Sequence, residues 1–251
     1  MVGRWPGPLR YAFSREGTMS RGLSEILSHF TLGSYEWRWQ LIGVAISLVA
    51  LFSYYLGYLI ASRQNAEGTF TLPGYLCLFG GLASLAWLVM PFLPQPRLPG
   101  IIGFLKGEPV SPVAIATQLY GFIVGAWFFA FTARSTRSNW SVTYHKFFAP
   151  ERLITDGQYG VVRHPMLIGD FLCHAGIAIA AGGIFTIALI AVYYVIAEAF
   201  IEIQERYVLY PKFKDEYREY TRRTPRSWSK GLAATAIVGI ALVAGTLATI
   251  P

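Results

Sequence analysis

Three carboxylates lie where an apolar helix should end. Glu198, Glu202 and Glu205 recur at i, i+4 and i+7 in a run that is otherwise greasy from residue 165 onward. That spacing puts all three on one helix face. An acid within a span is costly and usually faces a cavity or a partner. At the other end of the run stand Arg163, His164 and Pro165. Proline is tolerated in the first turn of a helix, where its missing N–H is not needed. Such a start offers free backbone N–H groups and a positive dipole end, which suit an anion. A carboxylate at Glu205 suits an ammonium or hydroxyl groups through charge-assisted hydrogen bonds. Inside the run, Asp170 and His174 stand at i, i+4. They are either a buried hydrogen-bonded pair or ligands for a substrate. Cys173 lies beside them, but two or three ligands on one helix make a poor metal site, so no metal is expected. The chain's four histidines, His29, His145, His164 and His174, are too few for a histidine-rich di-iron centre.

The elements that must position these groups read as membrane helices. Apolar residues make up 54% of the 251-residue chain and charged ones 14%, which is far from the balance of a soluble domain. Runs long enough to cross a bilayer occur near 39–62, 72–93, 113–133 and 231–250. The stretch 165–201 is too long for one span and reads as two, with Gly182-Gly183 at the turn. The expected fold is therefore all-α: a polytopic membrane helical bundle of about six transmembrane helices with a C-terminal catalytic helical hairpin. The hairpin returns both of its polar ends to one membrane face.

The chain divides into a polar or interfacial segment over 1–37, a three-helix transmembrane region over 38–133, the region 134–230 containing the hairpin, and a terminal span over 231–251. Leu23, Ile26, Leu27 and Phe30 share a face at helical spacing, as in an interfacial helix over 22–37. Met19 is an alternative start to Met1. Trp37 and Trp39 suit an aromatic belt. Five prolines between 94 and 112 imply a loop or a broken re-entrant segment, with Ile101 to Leu105 dipping into the interface. Five Lys/Arg fall in 134–163 and eight in 202–230, so the face carrying the hairpin's ends is expected to be cytoplasmic. The net charge of +7 is spread over such loops, which fits anionic lipid headgroups and not nucleic acid. Cys77 and Cys173 both fall within expected spans, and no disulfide is expected. Small residues Gly239, Ala241, Ala244 and Gly245 fit the last helix for close packing against a neighbour.

The residues carry a resemblance. Gly157-Gln158-Tyr159, then Val162-Arg163-His164-Pro165 and Gly169, are followed by an apolar hairpin. Then come Glu205, Leu209, Phe213, Glu216-Tyr217, Tyr220, Arg223 and Pro225. In order and spacing this resembles the superfamily of isoprenylcysteine carboxyl methyltransferases and phospholipid methyltransferases, over roughly 138–226. The resemblance implies an integral membrane enzyme that uses S-adenosylmethionine. It implies cofactor-binding roles for Tyr159, Arg163, His164, Pro165, Gly169, Glu202 and Glu205, and catalytic roles for Arg163, Glu205 and Arg222. Asp170, His174, Glu198, Arg206, Tyr217 and Arg223 are the candidates for holding the acceptor. Gly169 admits either the cofactor or a neighbouring helix at close range. Lys212, Lys214 and Arg218 are read as an interfacial surface without a catalytic role. Leu167 stands where the family pattern usually has tyrosine, and Arg206 where a second glutamate is common.

A sulfonium methyl donor is already activated, so such an enzyme has mainly to align the nucleophile and exclude water. The acceptor is expected to be a lipophilic or small thiol, carboxylate or amine, reached from the bilayer. Two other readings remain open at this level. Sterol-reductase-like enzymes carry Arg-His and a similar closing segment but use NADPH. A non-catalytic scaffold retaining the hairpin would also fit Leu167 and Arg206.

Overall fold

The computed structural model describes residues 35–64, 72, 75–76, 79, 86–143 and 152–250. The chain runs through α1 (Tyr35–Gln64), α2 (Ala86–Val89) with a 3-10 turn over Met90–Phe92, and α3 (Ile101–Leu105). It continues through α4 (Pro112–Thr143), α5 (Gln158–Val161), α6 (Pro165–Ala181) and α7 (Ile184–Gln204). A π turn over Glu205–Leu209 leads into α8 (Tyr210–Arg223), and α9 (Lys230–Ala248) closes the chain. The described residues form no strand, as expected of an all-α membrane bundle.

Among the described residues, three helices are long and apolar enough to cross a membrane: Pro112–Asn139, Ile184–Arg223 and Lys230–Ala248. The 17-residue α6 and the segment Arg38–Tyr54 are apolar but shorter. At 1.5 Å per residue, α6 runs about 26 Å, nearly the thickness of a bilayer core. Of the expected span 72–93, the continuous described part is 86–93. Met19, Cys77 and most of the expected interfacial helix 22–37 lie outside the described residues, and 35–37 already belong to α1.

One expectation is corrected. Residues 134–143, expected to belong to a loop, are helical, because α4 continues to Thr143. The cause is in the sequence: no glycine or proline interrupts 126–149. The change from apolar to polar composition marks the exit from the bilayer, not the end of the helix.

The hairpin turn falls where expected. Gly182 caps α6 in the left-handed conformation (φ 67°), the region in which glycine is favoured, and α7 starts at Ile184. The proline-rich segment before α3 wraps this turn. Leu98 N–H donates to Gly182 O (2.8 Å), Ile184 N–H to Pro96 O (3.1 Å) and Arg97 Nη1 to Ala181 O (2.8 Å). Prolines there cost no donor that the wrap requires. The expected dip over Ile101–Leu105 is the helix α3, with Ile102, Phe104 and Leu105 exposed.

Helices α4 and α6 approach backbone to backbone. A Cβ on Gly176 would lie 2.7 Å from Gly121 O and from Gly125 Cα. A Cβ on Gly121 would lie 2.7 Å from Gly176 O. Gly121 and Gly125 form a Gly-x-x-x-Gly pair, the device by which membrane helices exchange side-chain bulk for close packing. Helix α9 packs on the same α4 through its small residues. Gly239 faces the Tyr120 ring, Tyr120 OH donates to Thr235 O, and Thr117 Oγ1 lies 2.7 Å from Thr246 Oγ1.

Replacing Gly176 by leucine should therefore break the bundle. Overpacking a tight core costs about 1–3 kcal/mol where relief is possible, and backbone on the facing helix leaves little relief. The expected outcome is loss of monodisperse protein in detergent, or a clear drop in the thermal unfolding midpoint. Gly231→Ala, with nothing within 4 Å of the new methyl, should leave both unchanged.

Candidate functional site

At the mouth of the hairpin, two chain ends meet on one carboxylate. Arg163 and His164 lead into α6, and Pro165 is its first residue. Glu205 opens the π turn after α7. Such turns widen a helix and re-aim the side chains that follow, and they recur at functional sites. Glu205 and His164 are each 6% exposed, so their polar atoms must find partners within the protein.

They find one another. Glu205 Oε1 lies 2.9 Å from His164 Nε2, 3.0 Å from Arg163 Nε and 2.8 Å from the hydroxyl of Tyr217, which donates to it. A carboxylate only accepts, so the Nε2 of His164 carries the proton in this contact. The Arg163 contact is an ion pair without hydrogen-bond alignment. Arg163 is held from its other side too: its backbone N–H donates to Pro225 O (2.9 Å) and its Nη1 to Thr221 O (3.3 Å). Among the described residues, Glu205 Oε2 has only Arg226 Nε as an ion-pair partner, at 3.8 Å.

Tyr217 and Tyr220 sit three apart and form the buried face of α8, packed with Leu209, Leu153 and Phe213. Tyr220 OH donates to Tyr159 O (2.6 Å), which ties α8 to α5. Burial raises the Tyr159 phenol above its ordinary value, so it stays protonated. Lys214 (φ 44°, ψ −113°) breaks α8 between its first turn and the segment carrying both tyrosines.

The sequence-based candidates fall into two groups. Arg163, His164, Glu205 and Tyr217 come together, with Pro165 at the helix start. Glu198 and Glu202 lie on the same flank. The three arginines Arg206, Arg222 and Arg223 are exposed. Arg222 pairs with Glu219 at 3.3 Å on the outside of α8, and Arg206 lies over its neighbour Tyr207 at 5.6 Å. Two residues beyond Tyr220 is about 200° around a helix, so Arg222 points away from the face that carries the tyrosines. Gly169 is taken up by helix packing: a Cβ there would lie 2.9 Å from the Phe131 ring on α4.

Arg226 is the residue that sequence reading missed. It follows Pro225 in the turn after α8 and reaches back across the mouth. Its Nη2 lies 2.9 Å from Glu202 Oε2, and its Nε lies 3.8 Å from both Glu198 Oε2 and Glu205 Oε2. All three carboxylates of the helical stripe thus face one guanidinium. Trp228 extends the bracket: its Nε1 donates to Tyr194 OH (2.8 Å), which donates to Glu198 Oε1 (3.0 Å). The available signal was charge balance, since three acids on one face call for a cation nearby. Helical periodicity could not supply it, because Arg226 lies outside any helix.

The polar atoms left over define what the mouth can bind. Among the described residues, Arg226 Nε and Ser227 Oγ are buried without a hydrogen-bond partner. The side chain of Glu202 remains 57% exposed. The first-turn N–H groups of α6 have no carbonyl one turn back within the helix. Cationic donors, acidic acceptors and hydroxyls stand together, as an amino-acid-like zwitterion with sugar hydroxyls would require.

Residues 115–216 match the family model of phospholipid methyltransferases, which bears out the resemblance read from the motifs. The matched stretch takes in most of α4, the hairpin, the π turn and the first part of α8. For this stretch the match suggests an integral membrane methyltransferase. No curated protein and no solved structure matches the chain.

The network predicts an order of stability losses. Glu205→Ala would leave Arg163 and His164 buried without their shared acceptor, which costs about 3–5 kcal/mol when a buried pair is broken. Tyr217→Phe removes one donor and should cost about 1 kcal/mol. Arg222→Ala, which breaks only an exposed pair, should cost under about 0.5 kcal/mol. Denaturant unfolding in a fixed detergent, followed by tryptophan fluorescence, ranks the three.

Proposed function

We propose that this chain transfers a methyl group from S-adenosylmethionine to a lipophilic or small acceptor at the membrane surface. The reading rests on one observation above the others. Arg163, His164 and Glu205, which the motifs place at either end of an apolar hairpin, share a single buried contact within the segment that matches phospholipid methyltransferases.

The residues present fit the cofactor's chemistry. The α6 start, the Arg226 guanidinium and the Ser227 hydroxyl suit its carboxylate. Glu202 and the less engaged Oε2 of Glu205 suit its ammonium and its ribose hydroxyls. When bound, the cofactor supplies a sulfonium-activated methyl group. The protein's own residues orient and enclose. Arg163 and His164 are fixed by Glu205, so the loop entering α6 keeps its shape without a ligand. The Arg226 bracket spans the acidic stripe and leaves Glu202 open to a ligand. The mouth opens where the polar segments emerge from the hairpin, on the side the basic residues assign to the cytoplasm.

Calorimetric titration of S-adenosylhomocysteine into the detergent-purified chain tests the reading. Saturable one-site binding is expected. Glu202→Gln and Arg226→Ala should each weaken it about tenfold, or about 1.4 kcal/mol. Neither residue holds the buried Arg163–His164–Glu205 contact, so both variants should fold. Absence of saturable heat in folded, monodisperse protein would overturn the proposal. Saturable binding of NADPH in its place would favour the reductase reading.

A further inference from the structure

A second polar cluster lies deeper along α6. His174 is 3% exposed and sits among apolar side chains. Its Nδ1 lies 2.7 Å from the carbonyl oxygen of Asp170 and 3.5 Å from Asp170 Oδ2. Both partners only accept, so Nδ1 carries the ring proton. In the neutral ring, Nε2 is then a bare lone pair. That atom is buried and has no hydrogen-bond partner among the described residues.

The surroundings hold the imidazole in place. Tyr193 of α7 donates its hydroxyl to Asp170 Oδ2 and meets the imidazole edge to face, with centroids 5.4 Å apart. Trp87 of α2 stacks on the same tyrosine at 4.7 Å, and its Nε1–H is also buried and, among the described residues, unpartnered. One orphan acceptor and one orphan donor therefore flank a single ring. Leaving such atoms unpaired costs about 1–3 kcal/mol each, and a packed apolar core would have had no use for them. The Asp170 side chain is 33% exposed, so the carboxylate end of the cluster is open while His174 is buried behind it. Helical side chains tilt toward the N-terminus, which directs His174 toward the mouth. Ten residues of rise separate it from His164, about 15 Å along the axis.

We propose that His174 Nε2, oriented by Asp170 and Tyr193, binds the hydroxyl or thiol of the methyl acceptor and takes its proton as oxygen or sulfur is methylated. This inference rests on the methyltransferase reading. The bond between the heteroatom and the methyl carbon forms as the sulfonium S–CH3 bond breaks. The electron pair of that bond stays on the cofactor sulfur, and the O–H or S–H proton passes to Nε2. A hydroxyl or thiol supplies the donor that Nε2 lacks. A carboxylate acceptor supplies neither the proton nor a welcome charge, since it would stand against Asp170. The buried neighbours on the same helix, Phe171, Leu172 and Ala178, are apolar, which asks for a lipophilic body on the acceptor. His174 is thus assigned to the acceptor, apart from the network that holds Arg163 and His164.

The test is nitrogen NMR of the full-length chain labelled with 15N-histidine in detergent micelles. His174→Asn assigns the resonance and keeps a donor where Nδ1–H stood. S-adenosylhomocysteine alone should move the His164 signals. Dodecanethiol or dodecanol added next should shift the His174 Nε2 resonance saturably, and dodecanoate should not. His174→Asn should bind S-adenosylhomocysteine within about twofold of wild type, yet lower methyl transfer to dodecanethiol about 100-fold or more, as loss of a general base does. If S-adenosylhomocysteine leaves every histidine unmoved, the methyltransferase reading falls and this inference with it. If His164 responds but neither donor-bearing probe moves His174, the orphan lone pair is satisfied by a buried water and this inference alone is overturned. It is likewise overturned if dodecanoate shifts His174 equally, or if His174→Asn transfers methyl at the wild-type rate.

Discussion

The site depends on one carboxylate oxygen. Glu205 Oε1 takes the Tyr217 hydroxyl and faces both Arg163 and His164, so three segments distant in sequence close on a single atom. Removing any charged member would leave another buried and unpaired, which is far costlier than losing an exposed pair. The π turn and the break at Lys214 lie between Glu205 and Tyr217, the two residues that meet. A uniform helix from Ile184 to Arg223 would carry Glu205 and Tyr217 outward in a fixed register. The two irregularities re-aim the tyrosine face so that it returns to the glutamate. Polar segments emerging from an apolar hairpin are thereby folded back on themselves and not left loose at the headgroups.

That closure is possible only because the hairpin is rigid at its other end and along its length. Gly182 turns the chain in a conformation that other residues rarely adopt, and the wrap of Pro96, Arg97 and Leu98 fixes the turn with backbone hydrogen bonds. Along α6, Gly176 fits against Gly121 and Gly125 with no side chain between the helices. A side chain at any of these glycines would push α6 away from α4, and the Arg163 end with it. Lipid offers no hydrophobic drive for helices to associate, so close packing and interhelical hydrogen bonds, such as Thr117 with Thr246, carry the burden.

How much of this was legible in the sequence depends on the kind of signal. Pro165 as a helix start and Gly182-Gly183 as a turn are local effects, and the structure has both where local rules put them. The two polar ends of the hairpin meet because an apolar run of fixed length must return to the face it left. Polar composition over 134–143 suggests a loop, but with no glycine or proline in it α4 continues to Thr143. Arg222 and Arg226 show the sharpest limit. Both follow the tyrosine pair, but one continues the helix to the outer side and the other lies past Pro225, where the chain reverses. Charge counting along a helix face identifies the acids and says that a cation is needed, but it does not say which turn will deliver it. The orphan nitrogens of His174 and Trp87 are less visible still, since an unpaired atom is a property of the packed structure and not of any spacing.

Helix α6 joins these observations into one physical argument. Its first residues are fixed by Glu205, and its middle carries Asp170 and His174 into the apolar interior. Burying a polar group without a partner is unfavourable wherever water is excluded, and the bilayer excludes it on every side. The mouth cluster meets this constraint largely by internal pairing, leaving Arg226 Nε and Ser227 Oγ without hydrogen bonds among the described residues. The inner cluster meets it by half: Asp170 is satisfied by Tyr193, and His174 is satisfied at Nδ1 but not at Nε2. Two polar clusters on one helix, both held by neighbouring helices and both incomplete, are the arrangement expected of a protein that brings a charged molecule and an apolar one together. Each would enter from the phase in which it is soluble, and methyl transfer requires their reacting atoms to meet.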